Sequence, residues 1–409
     1  MSFEANKALP PSFIRIAWSN LSAQFSEQIA LAAAPLVAVL ALGADAAGTG
    51  LLQTAQTLPF LLLSIPAGVL VDRSSQRRLM VGSEALRALS LLAILLTILL
   101  GALNLPLLAG LGFLGAIGTV CYSVAAPVLV PTLVPREQLG AANRWLELAR
   151  SVAYSAGPAL GGAIVGWTGA PVAYVLATVL SLSAVFLLAG LPRGNIAARS
   201  QRRLLSELRE GAAFVALSPL LRPILITAVF FNIAWFVLQA VYVAYAVHNL
   251  GLSATGIGIT LGVYGAGMVV GALVAQRLSQ KLPFGAIIAL GPFTALCGAI
   301  LMLFTLWIPS GALAAASFFL FGAGPILWAI ATTTLRQVVT PNAMLGRVSA
   351  LIMTATFGAR PIGAAIGALV AAHAGVEACL VVSAAGFVVQ FLVICVSQVP
   401  RLRALPEAA

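Results

Sequence analysis

The chain alternates between long apolar runs and short polar connections. Twelve runs are each long enough to cross the roughly 30 Å hydrocarbon core of a membrane as a helix. They cover residues 13–41, 48–71, 79–101, 105–130, 142–166, 171–191, 223–247, 255–275, 284–307, 311–335, 346–371 and 377–399. This pattern predicts an all-α polytopic membrane protein with twelve transmembrane helices.

The longest connection divides these runs into six and six. It predicts an N-terminal six-helix bundle over residues 1–191, a cytoplasmic linker over 192–222 and a C-terminal six-helix bundle over 223–409. Within the linker, LLSELREGAAFVALSP (204–219) carries apolar residues at helical spacing. That spacing predicts an amphipathic helix on the inner membrane surface.

The two halves also resemble each other in sequence. PREQLG (135–140) is echoed by PNAMLG (341–346), and GPALG (157–161) by RPIG (360–363). Such a duplication fits a transporter in which two pseudo-symmetric bundles rock around a site at the membrane midplane. A channel or a membrane-bound enzyme would not need it.

Composition and charge support a membrane location. The chain is 61% hydrophobic and 8% charged, with a mean hydropathy of +1.06, so it has too few polar side chains to cover a soluble globule. All of its 22 lysines and arginines except Arg87, Arg150 and Arg360 fall in the connections on one side or near the helix ends there. The positive-inside rule therefore places both termini in the cytoplasm, and the net charge of +11 does not indicate a nucleic-acid partner.

The sequence contains no recognisable catalytic or cofactor-binding constellation. His248 and His373 stand alone in external connections, and the four cysteines lack metal-ligand spacing. GLGFLG (110–115) lies inside a predicted span, which favours helix packing over dinucleotide binding, and no phosphate-binding loop motif occurs. We expect neither an enzyme nor any cofactor or metal.

Polar residues on one face of the first span mark a candidate central cavity, since turning them toward lipid costs several kcal/mol. They are Asn20, Gln24, Glu27 and Gln28. Withdrawal from water favours the protonated form of a carboxyl group, so Glu27 is suited to take up and release a proton during transport. The alternative is a carboxylate tied permanently to a buried arginine or to the backbone.

A second deep charge, Arg360, lies about fourteen residues into the eleventh span. It suits an anionic or catecholate-like group of a substrate, or it is the counter-ion of Glu27, and both interpretations stay open. Two other charged sets are predicted to pair within their own helices near the cytoplasmic ends, with cargo contact by Arg87 or Arg150 as a lesser alternative. These sets are Glu84 with Arg87, and Arg144 with Glu147 and Arg150.

Amphipathic stripes in two other spans complete the predicted cavity wall. Mixed aromatic and amide side chains suit bulky amphipathic ligands, although contact with lipid or another helix explains aromatic residues nearly as well. The stripes are Asn232, Trp235, Gln239 and Tyr242 in the seventh span, and Gln53, Gln56 and Phe60 in the second.

The loop after the second span carries the motif GVLVDRSSQRRL (68–79). It resembles the signature loop of the major facilitator superfamily. The resemblance implies a cytoplasmic gate in which Asp72 faces the start of the eleventh helix and holds the two halves together. The gate residues would be Gly68, Asp72, Arg73, Arg77 and Arg347. Ser75 replaces the family's usual glycine, and the second-half copy has Ala275 in place of the acid, so one latch is expected.

The fifth span carries YSAGPALGG (154–162), which resembles a motif of major facilitators that export by antiport. Its residues Gly157, Gly161 and Gly162 allow close helix approach and Pro158 bends the helix, although generic helix packing explains them too.

Three further segments resemble the branch that contains the enterobactin exporter and macrolide efflux proteins. They are RRLMVGSEALRAL (77–89), SELREGAAFVALSPLLRP (206–223) and TPNAMLGRVSAL (340–351). The resemblance implies a monomeric bacterial inner-membrane exporter of amphipathic molecules, drug or siderophore-like, driven by proton antiport. A metabolite importer or facilitator of the same fold is the alternative. Arg360 departs from this branch, where a small or acidic residue is expected.

Overall fold

The computed structural model describes residues 10–135, 138–191 and 204–406, and all of the long regular elements in these ranges are α-helices. The predicted all-α polytopic fold is confirmed. The helices are α1 Pro11–Leu40, α2 Ala46–Arg73, α3 Gln76–Leu99, α4 Leu105–Leu133, α5 Leu139–Thr168, α6 Ala170–Ala189, α7 Leu204–Leu217, α8 Leu221–His248, α9 Ala254–Lys281, α10 Phe284–Phe304, α11 Gly311–Val339 and α12 Asn342–Cys395.

The last helix comprises two segments. Gly375 interrupts it with a φ of 83° and a ψ of 174°, a conformation that costs glycine little and other residues much. The segments on either side correspond to the eleventh and twelfth predicted spans. With α12 counted once, nine helices in the described residues are long and apolar enough to cross a membrane.

Side-chain caps begin four helices at the same end of the molecule. Asp45 accepts a hydrogen bond from Gly48 N at 2.7 Å at the start of α2, and Asn104 accepts one from Leu107 N at 2.9 Å at the start of α4. Ser253 and Ser310 cap α9 and α11 in the same way. Because α9 and α11 occupy the places in the second half that α2 and α4 occupy in the first, the caps repeat with the sequence duplication.

Helices pack extensively both within and between the two predicted halves. In the first half α1 packs on α5 and α6, while α3 packs on α4 and α6; in the second, α8 packs on α12 and α11 on α9 and α10. The halves meet through the pairs α2 with α12 and α5 with α9. The two predicted bundles and their boundaries at 191 and 222 stay predictions, and residues 192–203 lie outside the described part.

The end of α7 packs on protein, while its predicted location on the membrane surface stays a prediction. Val215 is buried against Leu221 and Val348, at the starts of α8 and α12. Gly211 also lies so close to the backbone of Arg347 that an added Cβ would be 2.9 Å from its carbonyl oxygen. The described C-terminal part of α7 therefore docks on the start of the C-terminal bundle through Val215.

Arg15, Arg77 and Arg347 lie at one end of the molecule, here called the basic end. Arg15 donates to the carbonyl oxygen of Gly190 at 2.5 Å, just after α6. Arg77 donates to the carbonyl oxygens of Leu188 and Ala189 in the last turn of α6. Two guanidinium groups thus satisfy carbonyls that the end of α6 leaves free.

Candidate functional site

A cavity of about 310 Å³ lies between the two halves of the molecule. Side chains from both halves line it, and its size suits a small organic molecule. Nine of the polar and aromatic residues predicted to face a cavity do so: Glu27, Gln28, Gln53, Gln56, Phe60, Asn232, Trp235, Gln239 and Arg360. What each of them does there is still a prediction.

Three residues predicted to line the cavity lie elsewhere. Asn20 is buried, and its side-chain oxygen accepts a long hydrogen bond from the Tyr122 hydroxyl at 3.5 Å. Gln24 lies one turn before Gln28 and is not part of the cavity wall.

Tyr242 is fully buried in the second half, where its hydroxyl is hydrogen-bonded to Thr260. Phe318 packs edge-on against the Tyr242 ring at a centroid distance of 4.5 Å, and Phe318 itself lines the cavity. The predicted stripe on α8 therefore lines the cavity at Asn232, Trp235 and Gln239 but not at Tyr242.

A buried charge cluster forms the first-half wall. Arg87 on α3 donates from Nη2 to Glu84 Oε2 at 2.7 Å and to the carbonyl oxygen of Ala23 at 2.9 Å. Its Nη1 lies 3.6 Å from Oε2 of Glu27 on α1. The side chain of Glu84 is 1% exposed, whereas that of Glu27 is 18% exposed and faces the cavity.

This cluster corrects one expectation and confirms another. The predicted pairing of Glu84 with Arg87 within α3 is confirmed. However, α3 begins at Gln76, earlier than predicted, so Arg87 is the twelfth residue of a 24-residue helix and lies deep in the bundle. Glu27 is consequently not the only deep acid, and its ion-pair partner is Arg87 rather than Arg360.

Arg360 occupies an aromatic cage. Its guanidinium carbon lies 4.3 Å from the ring centre of Phe357 and 5.5 Å from those of Phe60 and Phe236. These distances fall within the range of cation–π attraction. The Nε–H group is buried and has no hydrogen-bond partner in the described residues. The cage joins the halves, because Phe60 belongs to α2 and the other two rings to α8 and α12.

Aromatic rings dominate the second-half wall. The Trp235 ring stacks on Tyr264 at a centroid distance of 5.1 Å and on Phe231 at 6.3 Å. Phe318 and Phe321 contact its edges at 5.7 and 4.9 Å. Sequence reasoning found Trp235 but missed Tyr264 and Phe231, which line the cavity with it. Tyr264 has no amide neighbour at helical spacing, whereas Phe231 lies four residues before Trp235 and eight before Gln239, a spacing that could have identified it.

The glycine motif of α5 provides two different contacts. A Cβ added to Gly157 would lie 2.5 Å from the Cβ of Gln28, so α1 and α5 touch beside the cavity. A Cβ added to Gly162 would lie 2.5 Å from the Cα of Gly258 on α9, in the opposite half. Gly161 faces Ile29, and the carbonyl of Pro158 faces Gly258. A role of the motif in export stays a prediction.

The predicted gate is only partly described. The side chains of Asp72 and Arg73 and the surroundings of Gly68 lie outside the described part, as do Arg144 and Glu147 of the second predicted charge set. The Arg347 side chain forms an ion pair with Glu210 of α7. In this conformation Arg347 and Arg77 contact their own halves, whereas the prediction assigned both to a contact between the halves.

Comparisons with known proteins place this geometry in context. The model of the transmembrane secretion effector family matches residues 12–409. Macrolide efflux protein A of Streptococcus pyogenes is 24% identical over 333 residues, covering 78% of this chain and 80% of that protein. The enterobactin exporter of Escherichia coli is 27% identical over 306 residues, covering 73% and 71%. An uncharacterized MFS-type transporter of Sinorhizobium fredii is 28% identical over 337 residues, covering 78% and 79%.

Solved structures agree on the fold. A bacterial homologue of the iron transporter ferroportin in an inward-facing state superposes with a TM-score of 0.75 at 16% identity, covering 94% of this chain and 98% of that one. A POT family transporter in complex with 5-aminolevulinic acid gives 0.76 at 12% identity, with 96% of each chain covered. At these identities the likeness concerns the fold alone.

Proposed function

We propose that this chain, which belongs to the transmembrane secretion effector family of the major facilitator superfamily, exports amphipathic small molecules in exchange for protons. Family membership makes it a multi-pass membrane transporter rather than an enzyme. The proposal adds the driving force and a cargo class, which is drug-like or siderophore-like. The match to an enterobactin exporter and to macrolide efflux proteins supports export and that cargo class.

The observation that carries the proton exchange is the shared arginine. Two carboxylates, Glu27 and Glu84, surround one guanidinium, that of Arg87. Within this cluster one negative charge lacks a close partner, and a poorly hydrated site makes such a charge costly. Binding a proton removes that cost. Glu27 is the carboxylate that the cavity reaches, so we assign it the exchanged proton.

Cargo recognition is assigned to the opposite wall and to Arg360. The stack of Phe231, Trp235 and Tyr264 offers flat apolar surface to a bulky ligand. The Arg360 guanidinium lines the same cavity and would donate hydrogen bonds to an oxygen-bearing group of the cargo. Gln28 Nε2 and Gln56 Oε1 lack partners in the described residues and would orient a polar group of the ligand.

Alternating access is assigned to the interface between the halves. Gly50 and Gly258 lie in the first turns of α2 and α9, far from the basic end, and each packs tightly on the opposite half. Contact there supports a conformation in which the cavity opens toward the basic end. We place that end in the cytoplasm of a bacterial cell, with both termini on the same side of the inner membrane, and propose a monomer.

One experiment tests direction and driving force together. A thermal-stabilisation screen of the purified protein against siderophores and drugs first provides a ligand, here called the screened ligand. Inverted membrane vesicles with an acidic lumen then expose the cytoplasmic side to this ligand. We expect accumulation that collapses when a protonophore removes the proton gradient.

The same assay distinguishes the alternative. An importer or facilitator of the same fold would release preloaded ligand or equilibrate it regardless of the gradient. Either outcome would reject proton-driven export.

A further inference from the structure

The two carboxylates that share Arg87 differ in how firmly they are held. Glu84 Oε2 accepts hydrogen bonds from Arg87 at 2.7 Å and from Ser181 on α6 at 3.3 Å, and its side chain is almost fully buried. Glu27 has no hydrogen bond in the described residues and meets Arg87 only as an ion pair at 3.6 Å. One acid is therefore fixed inside the bundle, while the other is loosely held and open to the cavity.

Arg87 is fixed from three directions. It donates hydrogen bonds to Glu84, one helical turn earlier on its own helix, and to the carbonyl of Ala23 on α1. It also forms an ion pair with the Glu27 carboxylate, one turn beyond Ala23. Glu84 is in turn tied to α6 through Ser181. A guanidinium held this way keeps its position whether or not Glu27 carries a charge, because the Glu84 carboxylate and the Ala23 carbonyl still accept its hydrogen bonds.

We propose that Glu84 is the permanent counter-ion of Arg87 and that this fixed pair sets how tightly Glu27 binds its proton. Glu84 is thus a positioning residue that touches neither cargo nor the exchanged proton. Its negative charge repels an ionised Glu27 and divides the attraction of Arg87 between two acids. The inference rests on the proposed proton exchange at Glu27.

Other charged and titratable groups also face this cluster. Arg360 on α12 and Tyr154 on α5 line the same cavity as Glu27, and the Tyr122 hydroxyl on α4 reaches Asn20, two turns before Glu27 on α1. Glu84 differs from all of these because, among the described residues around Glu27, it is the one other acid. Its removal should therefore act on Glu27 in a direction that none of the neighbouring changes shares.

The expected sign follows from the charges. Replacing Glu84 by glutamine removes a repelling negative charge and leaves Arg87 wholly to Glu27. Both changes favour the ionised form of Glu27. Protonation of Glu27 in E84Q should consequently require a lower pH, by about one unit or more, since an uncompensated cation beside a carboxyl group has an effect of that order.

Infrared spectroscopy tests this without any cargo. The full-length protein in liposomes is titrated while the carbonyl stretch of protonated carboxyl groups is followed by difference spectra. The wild type should show a titrating band that is absent in E27Q. In E84Q the band should persist with its midpoint moved to lower pH, and E84D, which keeps the charge, should return it toward the wild-type value.

Glu377→Gln provides a matched control, because Glu377 is an exposed acid beyond Gly375, far from the cluster. In E377Q the band assigned to Glu27 should keep its wild-type midpoint. A band that disappears in E84Q but survives in E27Q, or a midpoint that E84Q leaves unmoved, would overturn the inference. If E84Q does not fold, E84D carries the test: its shorter side chain holds the charge farther from Arg87, so the midpoint should still lie slightly below the wild-type value, and an unmoved midpoint would overturn the inference. If the titration is as expected but the protein transports no ligand, the proposed function is rejected and this inference holds.

Discussion

The two walls of the central cavity have the same helical framework and different chemistry. In the first half, α1 and α3 place Glu27 and Arg87 in the cavity wall, with Glu84 buried behind them. In the second, α8 and α9 bring the stack of Trp235 and Tyr264. Duplication preserved the backbone arrangement, whereas the side chains diverged. We infer that the ionic wall couples transport to protons and that the aromatic wall binds cargo.

Equivalent helix contacts show how far the framework is preserved. A Cβ added to Gly161 would lie 3.2 Å from the Cα of Ile29, and one added to Gly363 would lie 2.9 Å from the Cα of Ile233. One turn earlier the halves differ. Gly157 leaves room for Gln28, while its counterpart Arg360 extends a guanidinium into a cage of phenyl rings. A single position thus changes from a helix contact to a guanidinium group in the cavity wall.

The largest effect is expected on the ionic wall. Glu27→Gln keeps the shape of the side chain but removes the exchangeable proton, so proton-driven accumulation in inverted vesicles should fall by at least about tenfold. Equilibrium binding of the screened ligand should change by less than about threefold, because the aromatic wall is intact.

Glu377→Gln is the control for the Glu27 variant, since it removes the same group outside the cavity. Gradient-driven transport that survives in Glu27→Gln at normal expression would remove Glu27 as the coupling residue. It would also contradict the inference that the ionic wall couples transport to protons while the aromatic wall binds cargo.

An intermediate effect is expected at Arg360, where the walls meet. Arg360→Gln removes a charged hydrogen-bond donor from the cage, so affinity for the screened ligand should fall about tenfold or more. The ratio of transport with and without a proton gradient should be unchanged. Calorimetric titration and vesicle transport measure the two quantities separately.

Arg222→Gln is the matched control for Arg360→Gln, because it removes a positive charge from an exposed position at the start of α8. Unchanged affinity in Arg360→Gln together with lost coupling would show that Arg360 belongs functionally to the ionic wall. Arg360 would then serve as a counter-ion of Glu27.

A smaller effect is expected on the aromatic wall. Trp235→Leu removes the ring at the centre of the stack and loosens Tyr264 and Phe231. Each aromatic pair contributes about 0.5–1.5 kcal/mol, so affinity for the screened ligand should drop about three- to tenfold while gradient dependence stays. Phe293→Leu, at an exposed position of α10, controls for the general loss of an aromatic ring. Equal effects of the two substitutions would remove the stack from cargo binding.

Sequence patterns predicted the fold well because a membrane leaves few alternatives. Apolar runs of spanning length, with basic residues concentrated in alternate connections, are sufficient to predict a polytopic helical protein. Gln53, Gln56 and Phe60 also line the cavity as predicted, because placing an amide side chain in contact with lipid has a high free-energy cost. Local periodicity carried both of these inferences.

Contacts between helices were harder to predict. Arg87 was placed near a helix end because α3 extends further than its apolar run, and nothing in the sequence joins α3 to Glu27 of α1. Tyr242 shares the periodicity of Trp235 yet lies behind Phe318. Spacing along one helix identifies a face, whereas the neighbours of that face depend on how the other helices pack.

The smallest effect concerns Arg347, for which the two halves offer different partners. In this conformation Arg347 pairs with Glu210 of α7, within the second half. We predict that Asp72 of the first half takes its place when the basic end closes, near the N-terminus of α12. The two acids then compete for one guanidinium. Asp72→Asn should lower the population closed at the basic end, and Glu210→Gln should raise it, each by about two- to fivefold, since exposed ion pairs contribute at most about 1 kcal/mol.

Distances between spin labels at the basic ends of α2 and α12 would report both populations. Opposite shifts in the two variants would support a shared arginine, because no purely local destabilisation moves one equilibrium in both directions. Shifts in the same direction, or none, would show that Asp72 does not compete for Arg347. The first half would then take part in proton exchange but would not form the cytoplasmic contact that holds the two halves together.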